Sequence, residues 1–277
     1  MSFARGQMSC SQFFDIMIRT TLCRLPSLLA LTALVLSGCS SLFDIKDNHE
    51  PGKVTPEFVS FVRSQYPEDK VAKPSYPRFK MVLTPEVTRQ IQHFADHNRR
   101  FIIKSYNNQQ RYLVEVTELF QREGVPVELI SVGAVESGFD PKAVSYQGAA
   151  GIWQFMKPTA RSYNLNVTLF RDERKDPVKS SWAAARHLAD LYDEFNDWNL
   201  ALAAYNAGSG SVRKAIRNGK TRDFWTLARR GHFKRQTAEY VPRVIAMSII
   251  MKDLNEYGFV EVAGEFKGDN TLLSYNK

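Results

Sequence analysis

Residues 124–138 read GVPVELISVGAVESG, an apolar run between a proline and a glycine. Pro126 is the residue type favoured at the first position of a helix, and Gly138 is the type favoured just beyond the last position. Apolar residues recur three and four positions apart between them, which is typical of a helix with one buried side. We therefore predict a helix over residues 126–137.

Glu136 lies on the apolar side of this predicted helix. At about 3.6 residues per turn it shares a stripe with Leu129 and Val132. A carboxyl group on an apolar stripe, at the helix end where the dipole is negative, is expected to have a raised pKa. A carboxyl that stays protonated near neutral pH is what a general acid requires. The alternative is a solvated glutamate near a helix end, which the helix by itself does not exclude.

The chain after residue 84 has helical periodicity nearly throughout. Apolar residues recur at i, i+3 and i+4, while the alternation typical of strands is scarce. Further helices are predicted over residues 84–97, 108–123, 156–162, 177–195, 198–207, 211–218, 222–229 and 236–256. We therefore predict an all-α fold, with one globular domain over residues 84–260 and a tail over residues 261–277.

Two Thr-Pro-Glu triplets, at residues 55–57 and 84–86, predict helix starts. In each, a capping hydroxyl precedes a proline at the first helical position and a carboxylate in the first turn. Between them, residues 66–79 are rich in proline, which predicts an extended segment over the surface. Residues 55–83 are therefore assigned to an N-terminal helix and this extended wrap.

The N-terminal region has the pattern of an export signal. Arg19 and Arg24 precede an apolar run over residues 28–36. This run is shorter than the ~20 residues that span a bilayer, and it has the length of a signal-peptide core. It ends in Leu-Ser-Gly-Cys at residues 36–39, which resembles the lipobox of bacterial lipoproteins.

The lipobox resemblance implies cleavage of a signal peptide over residues 1–38 and lipid on Cys39. A polar tether over residues 39–54 would follow, and several acyl chains on one residue make a durable membrane anchor. Ser40 stands where an aspartate would indicate retention in the inner membrane. The resemblance therefore implies the periplasmic face of the outer membrane. The alternative is an ordinary signal peptide with an incidental cysteine.

The net charge of +8 indicates an anionic partner without naming it. Nucleic acid, lipid head groups and acidic cell-wall polymer all carry the required charge. The excess is scattered and no nucleic-acid-binding signature is present, so no nucleic-acid partner is predicted.

The three cysteines are Cys10, Cys23 and Cys39. Cleavage before Cys39 would exclude a disulfide framework and a cysteine-based zinc site, and we predict neither a cofactor nor a metal.

A second motif follows Glu136 directly. Residues 148–151 read GAAG, small residues that suit a loop folded tightly against a bound ligand. Trp153 and Phe155 are expected to offer faces on which sugar rings stack. Further along, residues 203–208 read AAYNAG and end a predicted helix.

Four sequence blocks in this order resemble the catalytic domain of the soluble-type lytic murein transglycosylases, in particular the membrane-bound lytic murein transglycosylase D group. The blocks are residues 136–145, ESGFDPKAVS; residues 151–156, GIWQFM; residues 204–208, AYNAG; and residues 237–242, TAEYVP. Residues 172–177, DERKDP, also match that group's link between the second and third blocks. The resemblance implies a single lysozyme-like helical domain, within the α+β lysozyme-like superfamily, that cuts the glycan strands of peptidoglycan.

The first two blocks imply a catalytic residue and three contacts to glycan. Glu136 would be the single catalytic acid and base. Ser145 would orient the N-acetyl group of the muramic acid, while Gln154 and Met156 would line the glycan groove. The alternatives are that Ser145 is a turn residue and that Met156 belongs to the core.

Residues on later helices are implied to complete the site. Tyr205 would place its hydroxyl near the Glu136 carboxylate, Asn206 would support that corner, and Tyr240 would close the opposite wall. Without the resemblance, Asn206 is equally typical of a helix end and Tyr240 of an ordinary core. The family usually has glutamate where this chain has Gln236, which keeps hydrogen bonds but loses charge and leaves the detail of that subsite open.

The motif lacks a convincing second carboxylate. Two-carboxylate glycosidases hold the pair roughly 5–10 Å apart, and the nearby Asp140, which precedes Pro141, is typical of a turn. A single carboxylate predicts help from the substrate's own N-acetyl oxygen. The resemblance then implies a 1,6-anhydromuramoyl product. The alternatives left open are a hydrolytic lysozyme (muramidase) of the same fold and a non-catalytic glycan-binding lipoprotein.

Overall fold

The structure is a computed structural model that describes residues 54–65 and 76–259. The predictions for the signal peptide, Cys39, most of the tether, residues 66–75 of the wrap and the tail lie outside the described residues. Within the described ranges the α-helices are α1 Pro56–Gln65, α2 Pro85–His97, α3 Arg99–Gln110, α4 Leu113–Arg122, α5 Ser131–Ser137, α6 Lys157–Ser162, α7 Pro177–Phe195, α8 Trp198–Ala207, α9 Ser209–Gly219, α10 Phe224–Arg229 and α11 Arg235–Lys252. Two 3-10 helices, Val127–Ile130 and Glu173–Lys175, complete the set.

The predicted all-α class is confirmed for the described residues. They contain no β-strand, only three isolated antiparallel bridges, Val144 with Ala150, Ala150 with Phe155, and Val167 with Asp172. The first two bridges lie in the loop that follows Glu136. No helix in the described ranges is long and apolar enough to cross a membrane.

Several helix starts follow local capping chemistry. Thr84 accepts a hydrogen bond from the Val87 backbone at the start of α2, as the Thr-Pro-Glu pattern predicts. Asp176 and Asp197 cap α7 and α8 in the same way. These bonds satisfy backbone N–H groups that have no partner within the first turn. The predicted bounds of α7 and α8 therefore agree with the structure.

The N-terminal helix is fastened to the domain through a buried carboxylate. The Thr55 backbone N–H and hydroxyl both donate to Glu115 Oε1 on α4, each at 2.9 Å. The same hydroxyl accepts a hydrogen bond from the Phe58 backbone and so caps α1. Phe58 is buried in the core. The predicted helix start at residues 55–57 is confirmed.

Three predicted helices have wrong bounds. The predicted helix 236–256 is too long, because α11 ends at Lys252. The predicted helix 108–123 is divided, because α3 ends at Gln110 and α4 begins at Leu113. The sequence did not indicate α3, since two of its three buried residues, Ser105 and Gln109, are polar and obscure the apolar periodicity. The predicted helix 126–137 is a 3-10 turn, Val127–Ile130, followed by α5.

The site depends most on α5 and α11, and these two helices pack against each other. α11 contacts α2, α5 and α8, while α7 contacts α4 and α8. Val132 on α5 and Val244 on α11 are fully buried. The hydroxyls of Ser131 on α5 and Ser248 on α11 share a hydrogen bond of 2.6 Å within this interface. The end of α5 that carries Glu136 is therefore held at a defined place along α11.

Candidate active site

Glu136 occupies the last turn of α5 and is half-buried. The Tyr240 hydroxyl, from α11, donates a hydrogen bond of 2.6 Å to Glu136 Oε1. Burial raises the pKa of Glu136 from 4.5 to about 7, while the Tyr240 hydrogen bond and the charge of Arg243 lower it. A carboxyl with this pKa exchanges its proton near neutral pH, so it can act as an acid and then as a base.

The two tyrosines expected in the site divide their contacts differently from the prediction. Tyr240, expected in the opposite wall, is the residue that contacts the Glu136 carboxyl. The Tyr205 hydroxyl donates instead to the backbone oxygen of Trp153 at 2.8 Å. The site still affects the pKa of Tyr205: burial raises this pKa most, and the charge of Glu136 raises it further. The difference arises because α11 packs directly on α5.

Ser137 fastens the end of α5 to the following loop, a role that sequence reasoning missed. Its hydroxyl donates to the Ile152 backbone oxygen at 2.8 Å and accepts from the Asp140 backbone N–H at 3.1 Å. Gly138 ends the helix with a φ of 67°, as predicted, and its backbone oxygen accepts from the Asn108 side chain. The sequence signal for this role was a serine directly before the glycine that ends the helix.

Asp140 belongs to a turn. Its Oδ1 accepts a hydrogen bond of 2.9 Å from the Lys142 backbone N–H. The prediction of a turn residue is confirmed. Among the described residues, the neighbours that shift the pKa of the Glu136 carboxyl are Tyr240 and Arg243, and neither carries a carboxyl group.

Ser145 lies in a tight turn of the loop between α5 and α6. Its hydroxyl accepts a hydrogen bond of 3.0 Å from the Ala149 backbone N–H, and its backbone oxygen accepts one from Gly148. The side chain is half-buried. The hydroxyl therefore shapes the turn and keeps its own proton for a further acceptor. Both the turn reading and a contact to substrate are compatible with this geometry.

Gln154 and Met156 stand at the far end of the same loop. Gln154 has a φ of 48°, and its side-chain nitrogen donates to the Gly151 backbone oxygen at 2.8 Å. Met156 is 44% exposed, so the alternative that it belongs to the core is wrong. Gln154 is half-buried. Its amide is pinned within the loop, which fixes the direction of any contact that it makes.

Trp153 and Phe155 are not sugar-stacking surfaces, and that prediction is wrong. They are only 0% and 3% exposed. Trp153 stacks on Phe120, and its ring nitrogen donates to the Ser181 hydroxyl at 2.9 Å. The two buried rings therefore anchor the loop in the core. The exposed aromatic side chain of this loop is Tyr146.

Asn206 connects two of the site's helices. Its Oδ1 accepts a hydrogen bond of 3.0 Å from the Thr237 hydroxyl, which ties the end of α8 to the start of α11. Tyr240 lies one turn further along α11. Asn206 therefore supports the helix that carries Tyr240. Gln236 is exposed on the first turn of α11.

The described residues offer no metal site. Within 54–65 and 76–259, no group of three histidine, cysteine, aspartate or glutamate side chains is arranged to hold a metal ion. The groups that converge on Glu136 are a hydroxyl and a guanidinium. Such an arrangement supports proton transfer by the carboxyl.

Comparison with known proteins finds that the part of the chain around Glu136 is similar to a described family. Residues 117–228 match the family model described as the transglycosylase SLT domain. The chain is 40% identical over 152 residues to the membrane-bound lytic murein transglycosylase D of Escherichia coli (strain K12), a match that covers 53% of this chain and 33% of the relative. It is 36% identical over 111 residues to the membrane-bound lytic murein transglycosylase F of Maricaulis maris (strain MCS10), covering 35% of this chain and 23% of the relative. The solved structure of the 70 kDa soluble lytic transglycosylase of Escherichia coli is similar with a TM-score of 0.45 and 18% identity, over 72% of this chain and 40% of that one.

The chain spans about a third of the length of the Escherichia coli relative that it matches. The matched residues 117–228 include Glu136, the loop between α5 and α6, and Tyr205, whereas Tyr240 lies beyond them. Residues 117–228 are therefore similar to the transglycosylase SLT domain family.

Proposed function

We propose that the protein is a lytic transglycosylase that cuts the glycan strands of bacterial peptidoglycan, with Glu136 as its single catalytic acid and base. The observation that carries the proposal is the half-buried Glu136 carboxyl, whose pKa is raised by burial to about 7 and whose Oε1 accepts a hydrogen bond from Tyr240. The family match and the relatives, which are named as murein transglycosylases, supply the substrate class.

The first chemical step is protonation of the leaving group. The bond to be cut is the β-1,4 linkage between N-acetylmuramic acid and N-acetylglucosamine. Protonated Glu136 donates its proton to the departing O4 of the N-acetylglucosamine as the bond to C1 of the muramic acid breaks. The acetamido oxygen of the same muramic acid bonds to C1 and takes the place of a second carboxylate.

The second step uses the carboxylate that the first step leaves. Glu136 accepts the proton of the muramic acid's O6 hydroxyl, and O6 attacks C1 and displaces the acetamido oxygen. The products are a free 4-hydroxyl on N-acetylglucosamine and a 1,6-anhydro end on the muramic acid, and no water is consumed. The hydroxyl of Tyr240 and the charge of Arg243 stabilise the carboxylate between the two steps, since both lower the Glu136 pKa.

The remaining predicted residues are assigned supporting roles in this proposal. Ser145 orients the acetamido group, and Gln154 and Met156 line the groove for glycan. Tyr205 holds the loop through the Trp153 backbone, and Asn206 steadies α11. The half-buried or exposed state of Ser145, Gln154 and Met156 leaves each accessible to a bound strand.

We also propose that lipid on Cys39 anchors the enzyme to the periplasmic face of the outer membrane. The lipobox pattern supports this location, as do the relatives' names, which describe them as membrane-bound. The division into residues 1–38, 39–54, 55–83, 84–260 and 261–277 belongs to the same proposal. Labelled palmitate should be incorporated by the wild type, and Cys39→Ala should incorporate none; equal labelling of both would disprove the anchor.

The decisive experiment separates three functions by their products. Purified sacculi are incubated with the wild type, with Glu136→Gln, and with Glu118→Gln as a control that changes a surface glutamate on α4. Mass spectrometry should find anhydro-muropeptides with the wild type and the control and none with Glu136→Gln.

Each alternative gives a different result in the same experiment. New reducing ends in place of anhydro ends would identify a hydrolytic lysozyme. Binding of the wild type to sacculi without any release would identify a non-catalytic glycan-binding lipoprotein. Glycan release by a folded Glu136→Gln variant would remove Glu136 from the mechanism.

A further inference from the structure

A buried guanidinium lies beneath the loop that connects α5 with α6. It belongs to Arg174, in the 3-10 turn Glu173–Lys175, and its side chain is only 4% exposed. Buried arginines are rare unless the charge is paired and its N–H groups are satisfied. The contacts of this arginine therefore indicate what it holds in place.

Arg174 bonds to a carboxylate on one side and to the loop backbone on the other. Its Nε and Nη2 donate to the two oxygens of Asp172 at 2.8 and 2.7 Å. Its Nη1 donates to the backbone oxygens of Gly148 and Phe155, at 2.7 and 2.9 Å. Burial opposes ionisation of Asp172, but the hydrogen bonds and charge of Arg174 hold its pKa below the ordinary value. Asp172 and Arg174 therefore form an ion pair between a carboxylate and a guanidinium.

The two backbone oxygens belong to the stretches of the loop that contain the proposed glycan contacts. Gly148 ends the tight turn of Ser145, to which it donates a backbone hydrogen bond. Phe155 lies between Gln154 and Met156 in the sequence. One guanidinium group thus connects the turn of Ser145 with the residue between Gln154 and Met156.

The loop also rests on the backbone of Arg174. Gly151 has a φ of 79°, and a Cβ atom added there would lie 1.8 Å from the Arg174 backbone oxygen. Only glycine allows an approach this close. Gly151 is therefore in contact with the same residue whose side chain bonds to Gly148 and Phe155.

We propose that Arg174, held by Asp172, is a positioning residue that sets the turn of Ser145 and the segment of Gln154 and Met156 for binding glycan. The inference rests on the proposed function only in taking these residues as the glycan contacts. Arg174 does not contact Glu136 in the structure's hydrogen bonds, so it acts on binding and leaves the proton transfer to Glu136 and Tyr240.

Lysine cannot replace this arginine. Four of the five guanidinium N–H groups are used, in two directions, whereas an ammonium group has three donors at one point. Arg174→Lys should lose at least one charge-assisted hydrogen bond to the loop. Such a loss corresponds to a weakening of glycan binding by about tenfold. Asp172→Asn keeps Arg174 but replaces one of the two carboxylate oxygens that accept its hydrogen bonds. Glycan binding is therefore expected to weaken by about threefold.

The test measures binding separately from turnover. Each variant is made with Glu136→Gln, and the Kd for a linear hexamer of β-1,4-linked N-acetylglucosamine is measured by calorimetry. The same changes in the active enzyme are assayed for kcat, KM and pH profile on soluble glycan strands. The Kd and KM should rise by about tenfold for Arg174→Lys and about threefold for Asp172→Asn. The kcat should change by less than about threefold, and the pH profile should not shift.

Arg161→Lys is the matched control, because Arg161 also donates to a backbone oxygen, and that oxygen belongs to Val167, outside the loop at 143–156. It should bind like the parent protein. Thermal unfolding shows which variants are folded, and Asp172→Asn decides the matter if Arg174→Lys does not fold.

Several outcomes would overturn the inference. They are parent-like binding by either folded variant, a fall in kcat with an unchanged KM, and a parent protein that does not bind the hexamer. A wild type that releases nothing from sacculi would refute the proposed function. The hexamer Kd values would still test Arg174 in that case, so the two failures are distinguishable.

Discussion

Glu136→Gln is expected to stabilise the folded protein relative to the wild type, and by an amount that grows with pH. The folded-state pKa of Glu136 is about 7 and its ordinary value is 4.5. Between these values the unfolded chain releases the proton while the folded protein retains it, so the wild type loses stability as pH rises. Below about 4.5 both states are protonated, and above about 7 both are ionised. Glutamine does not titrate and has no such loss.

The magnitude follows from the two pKa values. Each unit of difference corresponds to about 1.4 kcal/mol, so the full cost of ionising the buried carboxyl is about 3 kcal/mol. Between pH 5 and pH 8, where most of the titration occurs, the stability difference between Glu136→Gln and wild type should increase by about 2 to 3 kcal/mol. The amide can still accept the hydrogen bond from Tyr240, which keeps the comparison close to the ionisation alone.

The assay is urea unfolding, followed by tryptophan fluorescence, at several values of pH between 5 and 8. The other titrating groups contribute equally to both proteins and cancel in the difference. Glu57→Gln, which changes an exposed carboxyl in the first turn of α1, is the control, and its difference from wild type should stay within about 0.5 kcal/mol across the range. A difference for Glu136→Gln that is flat, or that shrinks as pH rises, would refute the buried-carboxyl reasoning.

Two further changes test contacts of the site. Tyr240→Phe removes a hydrogen bond that lowers the Glu136 pKa. The alkaline limb of the kcat/KM profile should therefore move to higher pH, and kcat should fall about tenfold. An alkaline limb that does not move would contradict this role of Tyr240. Gly151→Ala places a methyl group 1.8 Å from the Arg174 backbone oxygen and should lower the free energy of unfolding by at least about 2 kcal/mol. Gly148→Ala, where φ is also positive but a Cβ meets nothing within 4 Å, should cost about 1 kcal/mol, and equal losses from both alanines in urea unfolding would show that contact with Arg174 is unimportant.

Much of the fold could be predicted because the signals that start and stop helices are local. Asp176 and Asp197 cap their helices through their own backbone neighbours, and Gly138 ends α5 in the left-handed conformation that its type allows. α3 escaped prediction because Ser105 and Gln109 face inward, where periodicity leads one to expect apolar residues. The polar residues are buried by packing against other helices, which no local signal describes.

The sequence by itself determined that Glu136 lies on an apolar helix stripe, which predicted a raised pKa without excluding a solvated carboxylate, and the order of its blocks determined the family resemblance. Only the tertiary structure decided which side chains reach the carboxyl. Tyr240 is 104 residues from Glu136 and contacts it because α11 packs on α5, whereas Tyr205 is bonded to the loop backbone. The burial of Trp153 was likewise decided by packing, since an aromatic ring anchors a loop or offers a surface according to what lies against it. Periodicity shows that one side of a helix is buried, but the identity of the neighbour depends on how distant helices meet.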